Sequence, residues 1–352
     1  MIPVRVLRGE LEGEGPEALA SRLVGLIAAL EVRGSDGSRI VSKGTVLAPD
    51  DVEVLLEAPW EELHLLEMEE GELHEEPAGG RLARAVAGGG IRVGAFGGGH
   101  WPLGSEGRGI LEVDADVLAR VNELEGLCVY THYSGRVLEE GDTVGRAKII
   151  PFAVAGDRLS RAEEILGDEG AIRVRRFRPT RVAAVVQESL GEEAMVRFRK
   201  ALGEKLAWFG STLDTPRFVA PRHDRVARAL KEVVEGGADL VVMAGIKAMD
   251  RLDPAFVALE SVGARLEFHG VPAHPGSLFW MARMEGVPVV GMPTCGLFSR
   301  ATVFDLVLPR LLAGIEVDAR AMAALGHGGF LTGEQSWRFP PYRKAGERGE
   351  VE

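Results

Sequence analysis

The feature that most constrains this chain is a rhythm that runs from Arg181 to Gly314. Short apolar runs rich in β-branched residues, "RVAAVVQ" (Arg181–Gln187), "DLVVMAG", "ARLEFHG" and "VPVVGMP", alternate with segments of helical spacing. Runs without polar alternation are buried on both faces, as in parallel strands. Helices are expected over Glu192–Trp208, in "PRHDRVARALKEVVEGG", which starts after Pro221 and stops on Gly236-Gly237, in "DPAFVALESVG" and in "SRATVFDLVLPRLLAG". Strand–helix alternation at this spacing implies right-handed crossovers and a three-layer α/β arrangement, a parallel sheet with helices on both faces. Ligands of such sheets bind outside the carboxyl ends of the strands. The loops at those ends are therefore the first place to look for chemistry.

The first half follows no such rhythm. Pro16–Leu30 has helical spacing, "APDDVEVLLEA" reads as a short helix opening on acids, and "ELHLLEM" as a strand. "AGGRLARAV" reads as a helix, "GILEVDADVLARVNELEG" as a strand turning into a helix, and "CVYTHYSGRVLEEGDTVGRAKIIPFAV" as a small β unit. The organisation expected is a mixed α+β region over 1–172, an α/β domain over 173–330 and a polar tail over 331–352, extended or mobile. "RVRRFRPT" (Arg173–Thr180) marks the first boundary.

Of the 352 residues, 46 are glycine, well above the roughly 7% average, which points to many tight turns. The net charge of −12 argues against nucleic acid or anionic membrane as a partner, while leaving room for a local basic pocket that takes one small anion. Two cysteines, Cys128 and Cys295, make neither a disulfide framework nor a four-cysteine zinc site. The segment "MIPVRVLRGELEGEG" lacks the apolar core of a signal peptide, and no apolar stretch approaches a membrane span. A cytoplasmic location is expected.

Four loops stand at the expected strand ends. "QESLGEE" offers acids and Ser189 before a helix, suited to capping or to a cation. "AGIKAMDRLDP" offers Gly245, Lys247, Asp250 and Asp253; a lysine beside free N–H groups suits a phosphate, and a carboxylate nearby suits Mg²⁺. Asp253 is the better placed to cap the helix that follows, which leaves Asp250 for function. "FHGVPAHPGSLFW" carries two prolines, Gly276, His274 and Ser277, and "GMPTCGLFSR" puts Thr294 and Cys295 at a crest and Ser299 at a helix start. Cys295 has no activating partner assignable from sequence and reads as structural. The glycine-dense Gly88–Gly109 segment lacks a P-loop ending, no Gly-x-Gly-x-x-Gly follows a strand, and "HYSGR" has no nucleophile elbow around it.

Taken in order, these loops resemble the molybdopterin-binding domain of the molybdenum-cofactor biosynthesis proteins, above all the molybdopterin molybdenumtransferases. The likeness covers about Arg181 to Gly314, with a looser echo in "KGTVLAPDDVEVLLEA". "AGIKAMDRLD" stands where the family has Gly-Gly-x-Ser-x-Gly-Asp, "EFHGVPAHPGS" where it has Lys-Pro-Gly-Lys-Pro, and "VPVVGMPTCGLFS" where it has Gly-Leu-Pro-Gly-Asn-Pro-x-Ser. Ala244, Lys247 and Met249 replace motif glycine, serine and glycine, and His274 and Ser277 replace two lysines. The resemblance implies a molybdopterin ligand with phosphate or nucleotide, Mg²⁺, molybdate insertion and a homodimer. By position it implies Asp250 as catalytic and metal-binding. It implies Glu188, Gly245, Lys247, His274, Pro275, Gly276, Ser277, Thr294 and Ser299 around the ligand. The alternative is a non-catalytic module that holds finished cofactor for a molybdoenzyme partner.

Overall fold

The structure, a computed structural model, describes residues 1–11, 16–187, 192–292 and 302–342. Its contacts divide the chain into two units, one made of Met1–Glu106, Val113–His132 and Glu140–Val174, the other of Gly107–Glu112, Tyr133–Glu139 and Arg175–Glu352. Among the described residues no helix is long and apolar enough to cross a membrane.

The first unit is built from small sheets and short helices. Ile2–Leu7 pairs antiparallel with Glu62–Glu67, whose Leu63 and Leu65 point into a core with Val6, Leu23, Val52, Leu55 and Trp60. The helix expected over Pro16–Leu30 stops at Leu23: Gly25 takes φ +86, and Ile27–Ala28 leaves as a strand. A four-stranded antiparallel sheet joins Leu127–Thr131, Thr143–Ile149, Trp101–Ser105 and Ile91–Val93. The helix Glu75–Val86 reaches further back than "AGGRLARAV", because His74 caps it through the Glu76 amide.

The second unit holds the main sheet. Its elements are β1 (Arg181–Val186), α1 (Glu192–Trp208), β2 (Thr212–Leu213), β3 (Arg217–Phe218), α2 (His223–Glu235), β4 (Leu240–Ala244), α3 (Pro254–Ser261), β5 (Arg265–His269), β6 (Trp280–Met284), β7 (Val287–Gly291) and α4 (Val303–Leu312). The strand order is β2-β1-β4-β7-β6-β5, with β3 also on β1. β1, β4, β7, β2 and β3 run parallel, so the crossovers read from the sequence are there.

The sheet is nevertheless mixed. β6, which no strand pattern in the sequence announces, runs antiparallel to both β5 and β7. A two-residue turn, Glu285-Gly286, with φ of +50 and +86, joins β6 to β7. Positive φ at both central residues is the twist a tight hairpin needs. Two reversals restore direction, so β5 still ends at the same edge as β1, β4 and β7.

Side-chain alternation sends each strand into two cores. Val182, Ala184, Val186, Val242 and Val290 face α1 and α4 residues such as Phe198, Leu202, Phe304 and Val307. Ala183, Val185, Val241, Met243 and Val289 face Val226, Leu230, Phe256 and Leu259 of α2 and α3. The stretch expected to be an extended tail does otherwise up to Tyr342. Leu331 and Phe339 are buried in the first of these cores, and Gly333–Arg338 forms a 3-10 turn. Leu331 and Phe339, with the partly buried Tyr342 packed beside them, anchor this otherwise polar stretch.

Candidate functional site

Because β1, β4, β5 and β7 end together, their loops share one edge, as far as they are described. Glu188, Ser189, Thr294, Cys295 and Ser299 lie outside the described residues.

The β4 loop is organised from beneath by Asp253. Its carboxylate is 3% exposed and takes three N–H donors: Gln187 Nε2 at 2.9 Å and Ala255 N at 2.9 Å on Oδ1, and Lys247 N at 3.0 Å on Oδ2. Asp253 is therefore the helix cap, as its position before Pro254 implied. Gln187 Oε1, by contrast, is buried with no hydrogen-bond partner. Above Asp253 the loop stands in solvent. Lys247 and Asp250 are exposed, and Met249 and Leu252 are 83% and 81% exposed. Asp250 Oδ1 accepts from Leu252 N at 2.9 Å, a local turn that holds the carboxylate outward. Gly245 turns the chain out of β4 at φ +76.

The "FHGVPAHPGSLFW" stretch is a hairpin connection from β5 to β6. Gly270 N reaches Phe279 O and Val271 N reaches Ser277 O, both at 2.9 Å. His274 lends its backbone, not its ring, to the fold: its N donates to Gly329 O at 2.8 Å and its O accepts from Leu331 N at 2.9 Å. The His274-Pro275 peptide is cis, and the His274 ring is exposed. His274 and Ser277 line a shallow cleft of about 280 Å³ with Pro272, Ala273 and Phe330. Gly276, at φ +110, faces α4: a Cβ there would lie 2.8 Å from Val303 N. The close approach that this glycine permits is made by the chain's own helix, not by a ligand. Arg251 Nη1 lies 3.4 Å from His269 Nδ1, which ties the β4 loop to the end of β5. Nothing brings Lys247 or Asp250 against His274 or Ser277.

One part of this edge escaped the sequence reading. β3 ends beside β1, and between it and the start of α2 runs a groove of about 700 Å³ with Arg217, Arg222, Arg225 and Arg228 on its walls. Asp224 holds Arg222 at 3.0 Å and Arg225 at 3.9 Å. Arg217 and Arg228 are exposed and have no carboxylate partner among the described residues. The signal was present as arginines three apart in "PRHDRVARAL", but a helix pattern alone does not show that β3 supplies a fourth. In a chain of net charge −12 this is a local positive field.

A metal fits this edge poorly. Among the described residues no group of three His, Cys, Asp or Glu is arranged around a cation position. Asp253 is saturated, and Asp250 stands by itself with one oxygen engaged. A lone carboxylate suits only a cation that brings water or phosphate ligands of its own.

Fold and edge together define a class: a mixed α/β sheet covered on both faces, with glycine-turned, basic loops beyond its strand ends. No family model matches the sequence, and no curated protein matches it. Among solved structures the chain is similar to the molybdopterin biosynthesis MoeA protein of Pyrococcus horikosii, at 15% identity over 72% of this chain and 80% of that one, with a TM-score of 0.31. It is also similar to the CinA protein of unknown function from Thermoplasma acidophilum, at 13% identity over 34% of this chain and 90% of that one, TM-score 0.27.

Proposed function

We propose that the chain binds molybdopterin at the carboxyl edge of the main sheet and acts in molybdenum-cofactor biosynthesis, presenting the adenylylated form for insertion of molybdate. The observation that carries this reading is the convergence, at one edge, of the arginine groove and the exposed Lys247–Leu252 crest. Arg217 and Arg228 suit phosphate oxygens, since a guanidinium fork matches them in geometry and charge. Met249 and Leu252 offer apolar contact to a flat ring, and Asp250 and Lys247 offer an acceptor and a cation beside it. Support also comes from the order of the sequence motifs along these loops.

A second reading, a module that holds finished cofactor without inserting metal, is favoured by the absence of a metal cage among the described residues. Titration calorimetry with molybdopterin and its adenylylated form, alongside a molybdate-insertion assay, separates the two. Insertion that Asp250→Ala abolishes supports the first. Binding without turnover, lost in Arg228→Gln, supports the second. Absence of binding to both forms refutes the reading as a whole.

A further inference from the structure

Ser134 and Gly135 of the "HYSGR" segment line a small cavity of the second unit. Tyr133–Arg136 is the tight connection between the strands Gly109–Val113 and Val137–Leu138, and Gly135 N donates to Leu111 O at 2.7 Å. Against it lies a small, partly open space of about 30 Å³ with Ser134, Gly135, Arg310, Trp337 and Arg338 on its walls. Arg310 comes from the last turn of α4, and Arg338 from the end of the Gly333–Arg338 turn. Two cations therefore approach one small space from different elements.

Their compensation is incomplete. Arg338 Nη1 donates to Gly328 O at 2.6 Å and Gln335 Oε1 at 3.1 Å, both neutral acceptors. Arg310 makes no hydrogen bond or ion pair with a described side chain, and its Nη2 lies 3.6 Å from where a Cβ of Gly135 would be. The acid whose charge it feels, Glu112, is bound to Arg175 at 2.5 Å. Burial lowers the proton affinity of Arg310, and the charge of Arg338 pushes the same way; burial does the same to Arg338. Arginine does not escape such a site by losing its proton, so the cost stays in the fold unless an anion is supplied. Trp337, on the cavity wall, stacks with Tyr133 at 5.4 Å between ring centroids.

We propose that Arg310 and Arg338, with Ser134 at the rim, form a receptor for one small tetrahedral oxyanion, separate from the edge that takes the larger ligand. Size selects the class. A single water needs roughly 10–15 Å³ of such space, so the cavity has room for an anion's few oxygens and none for a nucleotide or pterin. Two guanidinium groups on the walls of one small space offer donors to several oxygens of a phosphate or sulfate, which a spherical chloride cannot use.

The test is thermal unfolding of the full chain in a buffer free of oxyanions, titrated with inorganic phosphate, sulfate or chloride at constant ionic strength. Phosphate or sulfate should raise Tm along a saturating curve, as a ligand of the native state does, while chloride does not. Arg310→Gln and Arg338→Gln should each weaken the apparent affinity by about tenfold or more, the loss of one charge-assisted contact. In oxyanion-free buffer Arg310→Gln should unfold no earlier than the wild type, because it removes an incompletely compensated charge; a merely structural arginine would lower Tm. Arg228→Gln, in the groove at the sheet edge, should keep the saturating response whether or not the pterin reading stands. If the wild type gains no saturating stabilisation, or if both cavity variants respond as it does, or if Arg228→Gln alone loses the response, the proposal is overturned. Should Arg310→Gln fail to fold, Arg338→Gln decides by the same criterion.

Discussion

Replacing Asp305 by alanine should destabilise the second unit by about 3–5 kcal/mol, the range for breaking a buried ion pair by removing one partner. The Asp305 side chain is fully buried and accepts four hydrogen bonds. Oδ2 takes Thr302 N at 3.2 Å and Thr302 Oγ1 at 2.9 Å, which closes the capping box of α4; Oδ1 takes Lys205 Nζ at 2.6 Å and Tyr342 OH at 3.0 Å. Loss of the cap alone is worth about 1 kcal/mol. The larger share comes from the lost ion pair to Lys205, which is 8% exposed and lies over the Phe304 and Tyr342 rings. Lys205→Met breaks the same ion pair from its other side, so Lys205→Met/Asp305→Ala should cost less than the sum of its parts by about 1–3 kcal/mol. Urea unfolding with linear extrapolation measures each corner of the cycle. A loss below about 1 kcal/mol for Asp305→Ala, or strict additivity, would refute the argument. The alkaline limb gives a further check. Burial first, and then the Asp305 charge, raise the Tyr342 phenol well above its ordinary 10.0. The folded chain keeps this proton where the unfolded chain loses it, so the stability it contributes is intact below about pH 10 and falls as pH rises beyond. Tyr342→Phe should flatten that fall.

Gly276→Ala should cost about 2–3 kcal/mol. An L-residue at a left-handed φ costs about 1–2 kcal/mol, and displacing Val303 N weakens its 3.1 Å bond to Pro275 O, worth about 1 kcal/mol; a circular-dichroism melt unchanged from the wild type would count against it. Glu75→Gln should raise Tm at neutral pH. Burial raises the Glu75 carboxyl above its ordinary 4.5, partly offset by His74, Lys148 and Lys43, so its contribution to stability is full below about 4.5 and declines as pH rises through the folded value. The two proteins should therefore converge in acid, and a gap that widens there contradicts the sign.

Much of the main sheet was legible because its signals are local. "DLVVMAG" and the helix ending at Gly236-Gly237 need only their own residues to declare burial and a stop. β6 was hidden for an equally local reason. Trp280, Met281, Ala282 and Met284 are all buried, so "WMARM" shows no alternation, and Glu-Gly is not the usual tight-turn pair. Asp253 could be read as a cap from Pro254, but its grip on Gln187, 66 residues away, could not. The same limit explains Gly276: a positive φ can be guessed from "HPGS", whereas the identity of what fills the space beside it depends on α4. The arginine groove and the Arg310–Arg338 cavity are both meetings of distant elements, which no window of sequence contains.

The reversal at β6 also bears on the order in which the chain assembles. β5, β6 and β7 pair with partners joined by short connections, so their contacts close small loops at little entropic cost. β1 and β4 come together only after α1, β2, β3 and α2 have been spanned. Contacts of low sequence separation form sooner. In a pulse-labelled hydrogen-exchange experiment, amides of Arg265–His269 and Trp280–Met284 should gain protection ahead of those in Arg181–Val186, and the opposite order would contradict this. The meander would then be the template on which the parallel strands find their register, with the β1–β4 pairing the last part of the sheet to be completed.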